Sequence, residues 1–376
     1  MEFLLSAQSV LSWVLPFLLV LTVLVFFHEL GHYWAARRNG VRVEAFSIGF
    51  GPEIFGWKDS HGTRWKFSLI PFGGYVQMFG DANAASLPDY EKNSKLTAQE
   101  KSQTLDSKTV WQRIAVSGMG PLANIILAVL FLSIVFYFKG EQSRQPVLGE
   151  VLSGSVAQKS GFMPGDRVSS IDGEPVETFR QVQTIIAKNP ENPLVFQVTR
   201  EGTLQTLKVV PQKEQITPKV ARGVIGIMPQ LMPHGFFDAP LAALKSVVRM
   251  SGELLQFLGA AFCSKEDASK LGSVMSIAKM SKDSFQKGII PLLEFMALLS
   301  LNLGVINLIP VPGLDGGHLF FYIVEAIRGK PLSHKIHEIS FKIGLGILGV
   351  FMLGTLWNDL MRFNVIGSIL DFFHKW

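Results

Sequence analysis

Two histidines four residues apart flank a glutamate near the end of the first apolar segment, as His28-Glu29-Leu30-Gly31-His32. Residues i and i+4 of a helix share a face, so both imidazoles can bind one metal ion. Neutral imidazole suits Zn²⁺, and a catalytic zinc keeps three protein ligands and an open position for water. Glu29 lies beside the pair and can accept a proton from that water. The spacing therefore predicts a zinc hydrolase site that needs a third ligand from elsewhere.

A second polar cluster, far along the chain, offers that ligand. Residues 295–314 carry no charge, and residues 307–318 interrupt the apolar pattern with two prolines and three glycines. Membrane helices are broken in this way where a site is built. Asp315 would complete a His₂-carboxylate set, although it could instead cap the helix that restarts after it. His318 is a weaker candidate, expected to pack near the site. Asn307 could bind the substrate backbone, or only tie the broken helix together.

The competing explanation of the first motif is the polar end of a membrane helix, because Arg37 and Arg38 follow it closely. Ionisable residues at bilayer depth cost roughly 2.5–3.5 kcal/mol each, so several in one apolar segment need a partner or a role. With the second motif available, we favour the metal site.

The composition is that of a polytopic membrane protein. The chain has 376 residues, 29 of them Phe and only 17% charged, with several uncharged runs of membrane length. The net charge of +5 is too diffuse to indicate a nucleic-acid partner. Cys263 is the single cysteine, which excludes an internal disulfide and a cysteine-based metal cluster. His, Asp and Glu must therefore bind any metal.

Apolar runs predict four transmembrane helices, at residues 3–27, 114–138, 295–314 and 343–357. The first is expected to be retained, since it lacks the basic start of a secretory signal. Arg37, Arg38 and Arg42 follow it, so the positive-inside rule places the His-Glu-His end near the cytoplasmic face and both chain ends outside. In the second run, small residues favour close helix packing and Asn124 can bond across the interface.

Two other segments are not typical of spanning helices. Residues 46–52 and 65–76 are glycine-rich and read as extended chain, which predicts a membrane re-entrant β-hairpin or small sheet. Its edge would pair with an unfolded substrate strand, unless the hairpin simply lies on the cytoplasmic surface. Residues 146–212 read as a compact α/β domain that resembles a PDZ domain, which binds extended peptide tails in a groove. A merely structural external domain is the alternative.

These elements give a four-part organisation. Residues 1–140 form the N-terminal membrane half, 141–215 the PDZ-like domain, 216–285 an amphipathic helical linker, and 286–376 the C-terminal membrane half with a tail along the outer surface. The expected fold is thus a polytopic α-helical membrane protein with a re-entrant β element and an inserted extracytoplasmic PDZ-like domain.

Taken together, the motifs resemble the site-2 protease family of intramembrane zinc metalloproteases, and within it the regulator of sigma-E protease type. The matching segments are residues 28–32, 46–52, 69–76, 120–124, 302–307 and 314–317. The resemblance implies a bacterial inner-membrane enzyme that cleaves single-span membrane proteins within or near their transmembrane helix, after another protease has acted. Anti-sigma factors and remnant signal peptides are the substrate types. That type has tandem PDZ domains, whereas this chain has room for one.

The resemblance also assigns roles to single residues. It makes Glu29 the general base, and Asn307 a substrate contact. The zinc ligands it implies are His28, His32 and Asp315, and the substrate-binding sheet contains Gly49, Gly51 and Leu69. We expect a monomer embedded in the lipid bilayer. A non-catalytic PDZ scaffold is the alternative from another class, and a zinc or proton transporter is a third.

Overall fold

The computed structural model describes residues 2–81, 93–217, 220–263 and 274–330, with parts of 332–354. The described chain forms two compact units. One combines residues up to 134 with those from 243 onward, and the other consists of residues 135–242.

The helices are α1 Glu2–Arg38, α2 Ala98–Lys101, α3 Val110–Phe138, α4 Val156–Lys159, α5 Phe179–Lys188, α6 Asp238–Cys263, α7 Val274–Gln286, α8 Ile289–Asn307 and α9 Asp315–Arg328. The strands are β1 Val43–Lys58, β2 Arg64–Met78, β3 Glu141–Gln142, β4 Leu148–Val151, β5 Arg167–Ile171, β6 Glu174–Pro175, β7 Leu194–Arg200, β8 Thr203–Val209, β9 Gln212–Thr217, β10 Val220–Val224, β11 Ile227–Pro229 and β12 Leu231–Met232.

Within the described residues, three helices are long and apolar enough to cross a membrane: Ser12–Arg38 of α1, all of α3, and all of α8. The first predicted span is too short, because α1 continues past residue 27 to Arg38, so the His-Glu-His motif lies inside the helix and not at its end. The third ends early, since α8 stops at Asn307 and Pro310 and Pro312 follow. Much of the predicted fourth span, and all of the tail at 361–376, lies outside the described residues.

The sheet of the first unit is built from two long, folded strands. The first half of β1 pairs antiparallel with the end of β2, from Val43 with Met78 to Ile48 with Gly74. The second half of β1 pairs antiparallel with the start of β2, up to Lys58 with Arg64. The start of β2 also lies beside the first half of β1, and there the two segments run parallel. Their residue numbers rise together, from Ala45 with Arg64 to Ile48 with Phe67. The spatial order is therefore 53–58, 64–68, 43–48, 74–78, and residues 74–78 form an edge of this sheet within the part of the chain that the structure describes.

Glycines permit the two strands to fold back. Gly49 and Gly51 have φ of 89° and 84° in the bend of β1, and Gly73 has φ of 93° in the bend of β2. Side chains other than glycine rarely adopt this conformation. The predicted extended segments are thus present, but as a four-stranded arrangement and not as a simple hairpin.

The second unit contains the predicted α/β domain. Its main sheet has the order β6-β5-β7-β8, and its core includes the fully buried Val168, Val182 and Phe196. The linker boundary predicted at residue 216 is wrong, because β11 and β12 return to pair with β4 and β3 at the start of the domain. Strands of two or three residues carry no periodic signal that a sequence pattern could reveal. Helix starts only at Asp238.

Candidate active site

The structure brings the predicted histidine pair and Asp315 into one cluster. His28 Nε2 and His32 Nε2 are 3.2 Å apart. The Asp315 carboxylate lies across from them, with Oδ2 3.2 Å from His28 Nε2 and Oδ1 3.3 Å from His32 Nε2. Each of the three residues thus offers one ligand atom to a common point.

Helix geometry places these side chains. The pair at i and i+4 lies on one face of α1, and Asp315 is the first residue of α9, after the break that follows α8. The predicted alternative role of Asp315 as a helix cap is not seen, since Leu314 occupies the N-cap position and no side chain caps the helix. A carboxylate in the first turn is also favoured by the helix dipole.

The spacing of the three ligand atoms fits zinc. Tetrahedral Zn²⁺ with bonds of about 2.0–2.1 Å separates two ligand atoms by about 3.3–3.4 Å. The observed separations are 3.2–3.3 Å. Two nitrogens and one carboxylate oxygen also form a ligand set of the catalytic type, which leaves a fourth position for water.

Helix α3 fixes the orientation of both imidazoles. His32 Nδ1 lies 2.9 Å from the carbonyl oxygen of Val116. A carbonyl can only accept, so Nδ1 carries the proton and Nε2 keeps its lone pair for a metal. On the other histidine, Asn124 Nδ2 lies 3.1 Å from His28 Nδ1. The sequence predicted only that Asn124 bonds across the helix interface. The signal that could have indicated more is that Asn124 carries the one amide side chain of the apolar run 114–138.

Glycines let the helices come close enough for these contacts. A Cβ at Gly120 would lie 2.2 Å from His32 Nε2, so only glycine leaves room for the ring. A Cβ at Gly31 would lie 2.3 Å from the Met119 carbonyl oxygen, so α1 and α3 touch through their backbones. Gly120 was expected only to favour helix packing, and it also makes space for the His32 ring.

Comparison with known proteins identifies the family. Residues 16–351 match the family described as Peptidase family M50. The chain belongs to peptidase family M50, the site-2 protease family.

The M50 chain is similar over most of its length to several bacterial metalloproteases. A protein from Rhizobium meliloti, named as a zinc metalloprotease, is 40% identical over 93% of this chain and 97% of its own length. Metalloprotease MmpA of Caulobacter vibrioides is 32% identical over 94% and 96%. Regulator of sigma-E protease RseP of Salmonella typhimurium is 29% identical over 94% and 99%. The M50 chain is therefore a zinc metalloprotease, and the scaffold and transporter alternatives are not supported.

The RseP alignment covers 458 positions, more than the 376 residues of this M50 chain, so RseP contains residues without a counterpart here. Among solved structures, the PDZ domain of an SdrC-like protein from Listeria monocytogenes is 16% identical and covers 24% of this chain and 90% of its own, with a TM-score of 0.20.

A cavity of about 150 Å³ adjoins the three ligand atoms of the M50 site. Glu29 lines it together with the edge strand at Gly74–Val76 and with His318 and Tyr322 of α9. A Cβ at Gly74 would lie 3.2 Å from Glu29 Cγ, so the edge strand runs directly against the glutamate. The cavity thus holds a metal-type ligand set, the Glu29 carboxyl and a strand edge that pairs with no further strand among the described residues. The Val76 amide of that edge hydrogen-bonds to Glu29.

The predicted substrate-binding residues lie elsewhere. Asn307 ends α8, is partly buried, and is not among the described residues that line the cavity. Gly49 and Gly51 occupy the bend of β1, and Leu69 is 60% exposed near the bend of β2. Among the described residues, the sheet contributes Gly74–Val76 and Met78 to the cavity instead. Roles for these residues in substrate binding stay predictions.

An ion pair links α9 to α3 beyond the cavity. The Arg113 guanidinium donates to both oxygens of Glu325, at 2.9 and 2.5 Å, and lies 4.9 Å from the centre of the Tyr322 ring. Both partners are largely buried, with side chains 13% and 15% exposed. A bidentate pair fixes distance and orientation, so it holds the helix that carries Asp315 against the helix that orients the histidines.

Two aspartates anchor the sheet of the M50 chain. Asp59, in the β1–β2 turn, accepts hydrogen bonds from Tyr33 of α1 and from Trp65. Burial alone would raise the pKa of Asp59, but these bonds and two from backbone amides lower it to about 2. Asp81, just after the edge strand, accepts from the Met78 amide, and burial raises the pKa of its carboxyl to about 8.

Proposed function

We propose that this M50 chain hydrolyses peptide bonds within or near the transmembrane segments of single-span membrane proteins. His28, His32 and Asp315 hold the zinc ion and Glu29 is the general base. The observation that carries this proposal is the triangle of possible ligands His28, His32 and Asp315 beside Glu29, with both histidines on a helix of membrane length.

A bound zinc ion supplies a Lewis acid that polarises the scissile carbonyl and lowers the pKa of water toward about 7. Glu29 lies one residue from His28 and lines the same cavity. Its carboxylate accepts a proton during attack and passes that proton to the leaving amine. The Val116 carbonyl keeps the His32 ring in the tautomer that leaves Nε2 free.

The strand edge beside the ligand set favours an extended substrate. The backbone amides of a substrate helix are bonded within that helix, so the helix must unwind before attack. Unwinding releases backbone groups that are costly to leave unpaired in a membrane. The strand edge at 74–78 pairs with those groups by strand addition. This adds Gly74–Val76 to the proposed substrate contacts at Asn307, Gly49, Gly51 and Leu69.

The remaining assignments follow the family and the charge pattern. Arg37 and Arg38 at the end of α1 support a site near the cytoplasmic side of a bacterial inner membrane, and we propose that the α/β domain is on the outer side. We propose that this domain is PDZ-like and binds peptide tails, and that the chain acts as a monomer in regulated intramembrane proteolysis. Anti-sigma factors and remnant signal peptides are the proposed substrate types. The name of the RseP relative, a regulator of sigma-E protease, supports the first of them.

The test uses the full chain in vesicles with a single-span model substrate. Glu29→Gln is expected to lower the cleavage rate by about 10²–10⁴-fold, the usual contribution of a general base, and to leave zinc content unchanged. Glu53→Gln, an exposed position on the sheet, serves as the control and should cleave normally. A chelator should stop cleavage, and added zinc should restore it. Wild-type cleavage by Glu29→Gln would remove the base assignment, and full activity without zinc would remove the metal site.

A further inference from the structure

The side chain of Asn124 is completely buried in α3 and contacts a proposed zinc ligand. It is 0% exposed, and its amide lies 3.1 Å from Nδ1 of His28, on the side of the ring opposite the ligand nitrogen. The other end of the amide, Oδ1, is buried without a hydrogen-bond partner. A buried polar atom of this kind costs about 1–3 kcal/mol when unpaired, so a structural role alone does not explain the residue.

The protonation of the His28 ring determines which end of the Asn124 amide must face it. When His28 Nε2 binds a metal, the ring proton is on Nδ1, and Nδ1 becomes a donor. The partner must then be an acceptor. The amide is nearly symmetric in shape, so a half turn brings Oδ1 to Nδ1 without repacking.

We infer that Asn124 is a positioning residue that accepts the Nδ1 proton of His28 and so aims Nε2 at the zinc ion. This inference rests on the ligand set proposed above. Val116 performs the same task for His32 through its backbone carbonyl. Both imidazoles are thus oriented by α3, one by a side chain and one by main chain.

The backbone of Asn124 is itself held from outside the site. Ser300 of α8 donates a hydrogen bond of 2.8 Å to the Asn124 carbonyl oxygen, and Ser300 is fully buried. A Cβ at Gly304 would lie 3.4 Å from Asn124 Cβ, so α8 packs closely against this turn of α3. These contacts limit how far Asn124 can move away from the ring.

The test measures zinc affinity of the purified full chain by competition with a chelator. Asn124→Leu removes the acceptor at similar size and is expected to weaken zinc binding by about 10–100-fold, the usual effect of losing such a partner. Asn124→Asp keeps an acceptor and should bind zinc close to the wild-type level. Ser133→Ala is the matched control, since it removes a hydroxyl that donates to the Val129 carbonyl oxygen nine residues along the same helix, away from His28, and its zinc affinity should be unchanged.

Two further measurements separate positioning from folding. Thermal unfolding of the metal-free variants shows whether Asn124→Leu still folds, and the visible spectrum of Co²⁺-loaded protein reports the ligand geometry. A changed spectrum in Asn124→Leu, restored in Asn124→Asp, supports the inference. Wild-type zinc affinity in Asn124→Leu overturns it, as does equal weakness in Asn124→Asp. If the wild-type chain itself binds no zinc, the proposed function fails instead.

Discussion

Replacement of Gly120 by alanine should destroy the metal site while leaving the helix intact. The new Cβ would stand 2.2 Å from His32 Nε2, whereas ordinary contacts begin at 3.4 Å. The ring must therefore shift by about 1.2 Å, while zinc bonds tolerate a change of only about 0.2 Å. His32 cannot move that far and stay a ligand, because its Nδ1 is held at 2.9 Å from the Val116 carbonyl.

The expected loss of zinc affinity exceeds the loss caused by removing a residue that only hydrogen-bonds to a metal ligand. Such a partner is worth about 10–100-fold in metal affinity, so loss of His32 itself should weaken zinc binding by more than about 100-fold. Helix stability works in the opposite direction, since alanine in a helix interior is about 1 kcal/mol more favourable than glycine. A loss of zinc is therefore not explained by a lower helix propensity of α3.

Gly118→Ala provides the control two residues earlier in the same helix. Its Cβ would meet Leu319 at 3.7 Å, an ordinary contact. Chelator competition in detergent and cleavage of a single-span substrate should both report near wild-type behaviour for Gly118→Ala and loss for Gly120→Ala. The reasoning is refuted if Gly120→Ala binds zinc as tightly as its control.

Two other predictions concern parts of the chain outside the ligand triangle. Arg113→Met leaves the largely buried Glu325 without its partner and should lower the unfolding temperature in detergent, because breaking a buried pair is more costly than replacing it; Arg113→Met with Glu325→Leu should recover part of the loss, and an additive double variant would contradict the pairing. Asp81 binds its proton more tightly in the folded chain, where its pKa is about 8, than in the unfolded chain, where it is about 3.9. Its contribution to stability is therefore complete below about pH 4 and is lost as the pH rises through 8. The unfolding temperature of wild type should fall relative to Asp81→Asn between pH 5 and 9, and parallel curves would disprove this.

The cluster of His28, His32 and Asp315 was predictable because each of its parts has a recognisable pattern in the neighbouring sequence. The i, i+4 spacing fixes two histidines on one helix face whatever the rest of the chain does. Asp315 stands out as a charge beside a proline-broken apolar run. A local rule was enough to choose these residues, although only the fold brings them within 3.3 Å.

The strand edge was not predictable from the same kind of signal. Gly49, Gly51 and Leu69 lie in or near the bends of the two strands, and glycine in an extended segment indicates either a bend or a close contact. Which half of each strand becomes the edge depends on pairing across the sheet and on the contact of Gly74 with α1. Those are long-range contacts that leave no periodic pattern in the chain.

Helix α3 explains how a membrane protein can hold ligands to within a fraction of an ångström. Lipid tails are as apolar as the helices, so helix association in the bilayer depends on close packing and hydrogen bonds rather than on hydrophobic burial. Gly31 of α1 and Gly304 of α8 both bring their helices against the backbone of α3, and Gly120 admits the His32 ring. Backbone contact leaves no flexible side chain to absorb a displacement, so a shift of α3 moves the groups that orient both imidazoles. The geometry of the proposed metal site therefore depends on Gly31, Gly120 and Gly304 as well as on the ligands.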